Sequence, residues 1–233
     1  MTWKRQEERL EFESIPSEEE FLRSIQNIKD KTDQFIITLY YATAARVTEV
    51  IGRKELKKFN YYHKLDPKDL TKKTRLKKPI GWQTYKAIKP LTKDKITIED
   101  IEQEIFIKGK KHILKRKVLL IELFNEKAKS RDLRHKKLPL PFDTHKDIID
   151  IILTNIEKIP YGKPVVSLPY HKIWRLMSKY ELNPHLLRHY RLTHLCINHR
   201  YDSFKLQLYA GWTDIKPAKH YIQMAWSSLL DGL

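Results

Sequence analysis

A single cysteine, Cys196, is the only thiol in this 233-residue chain. It excludes an intramolecular disulfide and leaves no cysteine pair for zinc, and its apolar neighbours mark it as a buried structural thiol in a reducing compartment. No run of 18 apolar residues and no lipidation signal is present, which removes support for a membrane partner. The opening Met1-Thr2-Trp3-Lys4-Arg5-Gln6-Glu7-Glu8 is charged where a secretory signal is apolar. Internal repeats and low-complexity tracts are also missing, which leaves a mostly helical domain with a small sheet as the expectation. The remaining expectation is a cytoplasmic protein. Acidic residues are under-represented: 46 Lys and Arg against 29 Asp and Glu give a net charge of +17, the electrostatic footprint of a nucleic-acid binder. With 41% hydrophobic residues the chain can bury a substantial core as one large or two small domains.

Residues 1–16 are polar and end at Pro16, which reads as an N-terminal arm. Ser17 followed by Glu20 is a capping box opening a helix to about Asp30. The next segment, Phe35-Ile36-Ile37-Thr38-Leu39-Tyr40-Tyr41-Ala42, is apolar nearly all round, as a central helix must be, and it delivers Arg46 to an interior location. From Arg53 to about 100 the chain turns lysine-rich, with Tyr61, Tyr62, Trp82 and Tyr85 interspersed and Pro67, Pro79 and Pro90 as interruptions. Two readings stand: a DNA-facing insertion, or a solvated excursion whose lysines keep the protein soluble. Branched and aromatic residues on both sides of Lys108-Gly109 predict a hairpin with a basic tip. Ile148, Ile149, Ile151, Ile152 and Ile156 recur at helical spacing up to Pro160. Ser167 is expected to cap a helix carrying Ile173, Trp174 and Met177, and Asn183-Pro184 to open the next. The whole reads as an α+β fold, mostly helical, with a small antiparallel sheet.

The chemistry concentrates near the C-terminus. His185 and Arg188 are three residues apart and share one helical face, so both reach one phosphate. Cleaving a phosphodiester builds negative charge on the equatorial oxygens. Arg46 and Arg188 suit that charge better than lysines, because guanidinium forks bind phosphate oxygens and stay charged at any working pH. His185 donates a hydrogen bond or shuttles a proton, and the leaving 5′-oxygen needs a proton from a lysine: Lys108 first, Lys110 as the alternative. Tyr221 is then the nucleophile, activated by cationic neighbours and a proton acceptor. Lys110, Lys111, Lys115, Arg116 and Lys117 are candidate DNA-phosphate contacts. His185 and His189 at i, i+4 lack a third ligand, so no metal site is expected. His189 and His194 are assigned to helix packing.

Three stretches resemble the tyrosine recombinase (phage integrase) family across its catalytic domain. Ala42-Thr43-Ala44-Ala45-Arg46-Val47-Thr48-Glu49-Val50 resembles the first arginine box, with Glu49 at its acidic position. His185-Leu186-Leu187-Arg188-His189-Tyr190-Arg191-Leu192-Thr193-His194-Leu195 resembles the second. Leu206-Gln207-Leu208-Tyr209-Ala210-Gly211-Trp212, with Tyr221 nine residues on, resembles the segment leading to the nucleophile. The resemblance implies a site-specific recombinase or integrase acting on double-stranded DNA through a 3′-phosphotyrosyl link at Tyr221, without cofactor. Arg46, Arg188, His185 and Trp212 would surround the phosphate, and Trp212 packs and donates one hydrogen bond. Relatives also imply self-association on DNA through the segment after Tyr221. Ala44-Ala45 stands where the family usually has Gly and a hydrophobic residue, a change within helix-compatible chemistry. The expected organisation is an arm over 1–16 and a catalytic domain over 17–233 with a basic insertion at about 53–100 and no separate N-terminal core-binding domain. Two rivals keep the fold: a type IB topoisomerase-like relaxing enzyme and a catalytically silent DNA-binding protein.

Overall fold

The computed structural model describes residues 15–66, 69–107, 110–126 and 134–230; the arm expected over 1–16 therefore falls outside the described residues up to position 14. The first helix, α1 (Glu18–Gln26), begins where the capping box places it: Ser17 Oγ accepts from the Glu20 N–H at 3.3 Å and Glu20 Oε2 accepts from the Ser17 N–H at 2.9 Å. It ends earlier than expected. Asp30 is not its last residue but the cap of α2 (Lys31–Thr43), accepting from the Thr32 and Asp33 N–H groups. As its all-round apolar sequence requires, α2 is buried from Asp33 to Thr43.

Ala44 stops α2 in the left-handed region at φ 45°, ψ 33°. Its helix compatibility is thus corrected: this position wants glycine, because a Cβ there crowds the backbone. The reversal frees the Ala44 carbonyl and turns the chain into a short helix, α3 (Val47–Ile51), with Arg46 at its N-cap.

The lysine-rich stretch after Arg53 is a long antiparallel ribbon, β1 (Leu56–Asp66) paired with β2 (Asp69–Tyr85). Charged residues at successive positions and two prolines hid the period-two pattern from the sequence reading. A separate three-stranded sheet has the order β3-β4-β5, formed by β3 (Ile96–Ile107), β4 (Lys110–Phe124) and β5 (His135–Pro141). The hairpin expected around Lys108-Gly109 is the β3–β4 pair, whose last described partners are Ile107 and Lys110. Only Val118 to Phe124 of β4 also pairs with β5. Leu119, Ile121, Leu123, Leu138 and Leu140 of this part are at most 1% exposed and join the core, each such burial contributing about 1.5–3 kcal/mol. The isoleucine-rich helix is α4 (Phe142–Ile156), which lays Ile148, Ile149 and Ile152 into that core.

Three more helices precede the C-terminal one. Ser167 does not cap α5 (Tyr170–Ser178): Pro169 holds the N-cap, and a proline forces the residue before it into extended backbone, delaying the helix. Asn183 caps α6 (Pro184–Ile197) as expected, with Oδ1 accepting from the Leu186 N–H at 2.9 Å. Then come α7 (Ser203–Ala210) and α8 (Lys216–Leu230). A buried ionic knot fastens α1 to α6. Arg191, fully buried, donates to Glu18 at 3.0 Å and to His145 Nε2 at 2.7 Å, and lies over the rings of Tyr41 and Tyr209. Burial alone would raise the Glu18 carboxyl; His199, Arg191 and Asn198 outweigh it and hold the group well below the carboxylate range.

Candidate active site

Arg46 reaches the site from the α2–α3 turn. Its guanidinium donates to Glu49 Oε1 at 2.8 Å, while its backbone N–H donates to Glu49 Oε2 at 3.0 Å. Glu49 is fully buried and also faces the ammonium of Lys136 at 3.1 Å. Burial by itself raises a carboxyl, but here the charges of Lys136, Arg46 and Arg188 prevail and hold Glu49 at about 2. Burial pushes Lys136 down to about 8, with Glu49 opposing the change. Lys136 was missed by the sequence reading. It sits second in β5 among similar basic residues, and only its pairing opposite Leu123 at the buried end of the sheet distinguishes it.

Arg188 arrives from the second turn of α6. It donates to the carbonyls of Ala44 and, at 2.7 Å, of Ala210, which ties the ends of α2 and α7 together beneath the site. Burial and then the neighbouring Arg46 push it down to about 10, so it remains cationic at neutral pH. Two of its five N–H donors serve those carbonyls. Arg46, His185 and Arg188 line one cleft of about 440 Å³ together with Thr48, Arg53 and Glu126. Arg53 is paired with Glu126 at 2.5 Å and Arg46 with Glu49 at 2.8 Å, but Glu49 also faces Lys136, so the Arg46, Arg188, Lys136 and Glu49 group keeps a net positive charge beside the cleft.

Trp212 and Tyr221 adjoin the cleft without lining it. The guanidinium of Arg188 stands over the Trp212 ring at 5.6 Å, and Trp212 stacks on Tyr221 with centroids 5.8 Å apart. Tyr221 is 5% exposed, and its hydroxyl faces His189 Nδ1 at 2.9 Å. His189 was assigned to helix packing; the structure instead places it on the candidate nucleophile. Its position directly after Arg188 was the available signal. His194 does pack, between Tyr41 and the Pro16 carbonyl.

Of the two expected lysines, the structure describes only Lys110, and it does not bring that residue to the cleft. Lys108 lies outside the described residues. Lys110 starts β4, whereas Glu126, which lines the cleft, lies just past the other end at Phe124; fourteen steps of strand separate Lys110 from Phe124, about 45 Å. Lysine spans a small fraction of that, so Lys110 of this chain does not reach the cleft. Among the proposed DNA contacts on the same ribbon, Lys111 pairs with Glu104, Lys115 with Glu102 and Arg116 with Asp143, while Lys117 lies over Phe142.

One metal-like group occurs among the described residues: donor atoms of Glu18, His145 and His199 lie within 4.8 Å of one another. Arg191 already contacts both Glu18 and His145 there, and burial with the Arg191 charge pushes His145 down to about 3. A fixed guanidinium thus stands where a cation would bind.

No protein-family model matches the chain, and no curated protein does. Among solved structures it is similar to the XerH site-specific recombinase bound to palindromic difH substrate in a post-cleavage complex, at 15% identity over 93% of this chain and 51% of that one, with a TM-score of 0.50. The chain has the fold of a tyrosine recombinase catalytic domain. A weaker likeness, to the Tn1549 transposon integrase in complex with transposon right end DNA, has 17% identity, covers 93% of this chain and 64% of that one, and has a TM-score of 0.42. This tyrosine recombinase fold spans about half the length of the XerH chain. No helix of the described residues is long and apolar enough to cross a membrane.

Proposed function

We propose that the chain cuts and rejoins double-stranded DNA through Tyr221, as a site-specific recombinase or integrase. One observation carries this reading: Arg46 and Arg188, from segments far apart in sequence, face a single cleft, and a buried tyrosine hydroxyl sits behind Arg188 against a histidine. In this reading Tyr221 Oη attacks phosphorus. The bond to the 5′-oxygen breaks as the tyrosyl bond forms, leaving a 3′-phosphotyrosine and a 5′-hydroxyl. The phenol proton passes to His189, and Arg46 and Arg188 hold the equatorial oxygens while their charge grows. His185 donates a further hydrogen bond, and Trp212 keeps Arg188 and Tyr221 in contact. Attack by a partner strand's 5′-hydroxyl reverses the step, and the covalent link conserves the bond energy, so rejoining needs no ATP.

The 5′-oxygen requires a proton donor. Lys127 takes that role in place of Lys108 and Lys110: it follows Glu126, which lines the cleft, although Lys127 itself lies outside the described residues. Self-association through the segment after Tyr221 belongs to the same proposal; the side chains from Trp226 onward are outside the described set.

The test is incubation of wild type and Tyr221→Phe with labelled duplexes nicked near candidate sites, followed by a denaturing gel without added metal. A covalent adduct confined to wild type is expected, and His189→Ala should form it about 10²- to 10⁴-fold more slowly. Tight binding with no adduct on any duplex would replace this reading with a silent DNA-binding protein, and relaxation without strand exchange would favour the topoisomerase-like one.

A further inference from the structure

We propose that the β1–β2 ribbon is a DNA-groove element: it enters the major groove beside the phosphate held in the cleft and supplies a large share of the duplex grip. This rests on the proposed action on DNA and adds where, and with what element, the duplex is held.

A two-stranded antiparallel ribbon has the shape to fit the major groove, about 12 Å wide. The register runs from Leu56 opposite Tyr85 to Asp66 opposite Asp69, about 33 Å of strand, the length of roughly ten base pairs at 3.4 Å each. Its register shifts at Asn60/Tyr61 and Tyr61/His63 increase the local twist and bend. No third strand pairs with it among the described residues, and an isolated two-stranded ribbon is marginal in water without a surface to lie on.

Charge identifies the surface it fits. Residues 56–85 hold nine Lys and Arg against two Asp, a net +7 out of the chain's +17. Both aspartates are at the tip, paired with each other in the register. The β3–β4 ribbon is the internal contrast: over 96–124 it holds six Lys and Arg against five Asp and Glu, with ion pairs between the strands at Lys111–Glu104 and Lys115–Glu102. Two ribbons of like architecture thus differ in charge. One is nearly neutralised from within, and the other has too few acids to be.

The ribbon also starts at the cleft. Leu56 and Tyr85, the root pair, line the same cavity as Arg46, His185 and Arg188. Arg53 secures that root: it stacks over Tyr85 at 5.2 Å, donates to Glu126 and to the Lys86 carbonyl, and its backbone bridges to Ile88. A duplex with a phosphate in the cleft therefore meets the ribbon at once.

Anisotropy of labelled duplexes tests this, using the full chain and the variant Lys72→Gln/Lys73→Gln/Arg75→Gln/Lys77→Gln/Lys78→Gln. A second variant replaces residues 58–83 with an Asn-Gly turn, so that a folding defect in one does not decide the outcome. Wild-type affinity should rise as the duplex arm on one side of the nick grows from 4 to about 10 base pairs and then level off. In both variants that dependence should vanish, and the slope of log K against log salt should shrink by about 0.9 for each phosphate no longer neutralised, a change of about 2 to 4. Variants that keep the wild-type slope and arm dependence overturn the proposal. Binding does not require cleavage, so the same titration on Tyr221→Phe separates failure of the ribbon from failure of the nucleophile.

Discussion

Replacing Lys136 by methionine perturbs the site from below while leaving every cleft-lining residue in place. Glu49 is fully buried, and its carboxylate is shared among the Arg46 guanidinium at 2.8 Å, the Arg46 N–H at 3.0 Å and the Lys136 ammonium at 3.1 Å. Removing one member of a buried pair typically costs 3–5 kcal/mol, because the other charge is left uncompensated. Arg46 remains, so the lower end applies, about 3 kcal/mol. For a chain of this size each kcal/mol moves Tm by about 2–4 °C, which predicts a fall of about 6–12 °C by circular dichroism. The pH dependence gives a second reading. Glu49 sits at about 2 against an ordinary 4.5, so its stabilisation is complete above about 4.5 and is lost as pH falls toward 2, amounting to about 3 kcal/mol at 1.36 kcal/mol per pH unit. Without Lys136 the carboxyl rises, and the acid limb of the stability curve moves to higher pH. The double variant Glu49→Leu/Lys136→Met should be more stable than the two single losses added together. A Tm within 2 °C of wild type, with an unmoved acid limb, would refute the pairing.

Ala44→Gly should stabilise the protein by up to about 1.6 kcal/mol: relief of the left-handed Cβ contributes about 1–2 kcal/mol, partly offset by about 0.4–1 from the freer unfolded chain, and a lower urea midpoint would contradict the φ of 45°. Gly211→Ala should cost more than 1 kcal/mol, since φ is 67° and the new Cβ would meet the Asn125 side chain at 2.9–3.0 Å; calorimetry showing wild-type stability would mean that Asn125 yields freely.

The catalytic signals were legible where chemistry is local. His185 and Arg188 are one helical turn apart, Asn183-Pro184 opens their helix, and Tyr221 follows Trp212 at a fixed spacing, so short-range pattern sufficed. Partners joined across the fold were not legible. Lys136 is one of several basic residues between Arg134 and Lys137, and what singles it out is that β5 carries it beneath Glu49. His189 likewise meets the Tyr221 hydroxyl only because α8 brings Tyr221 alongside α6. The choice among lysines has the same origin: the turn at Lys108-Gly109 and the connection after Glu126 are both basic in sequence, and only the register, with Lys110 at one end of β4 and Phe124 at the other, tells that Glu126, at the Phe124 end, is the one that lines the cleft. Ala44 reads as helix-compatible because alanine is the best helix former, although the resemblance puts glycine there; in the structure its left-handed backbone accompanies the Arg188 guanidinium on its carbonyl and the burial of Thr43 and Ala45 on either side. Sequence therefore identified the side chains that line or adjoin the cleft, while strand pairing and helix packing decide which groups hold them there.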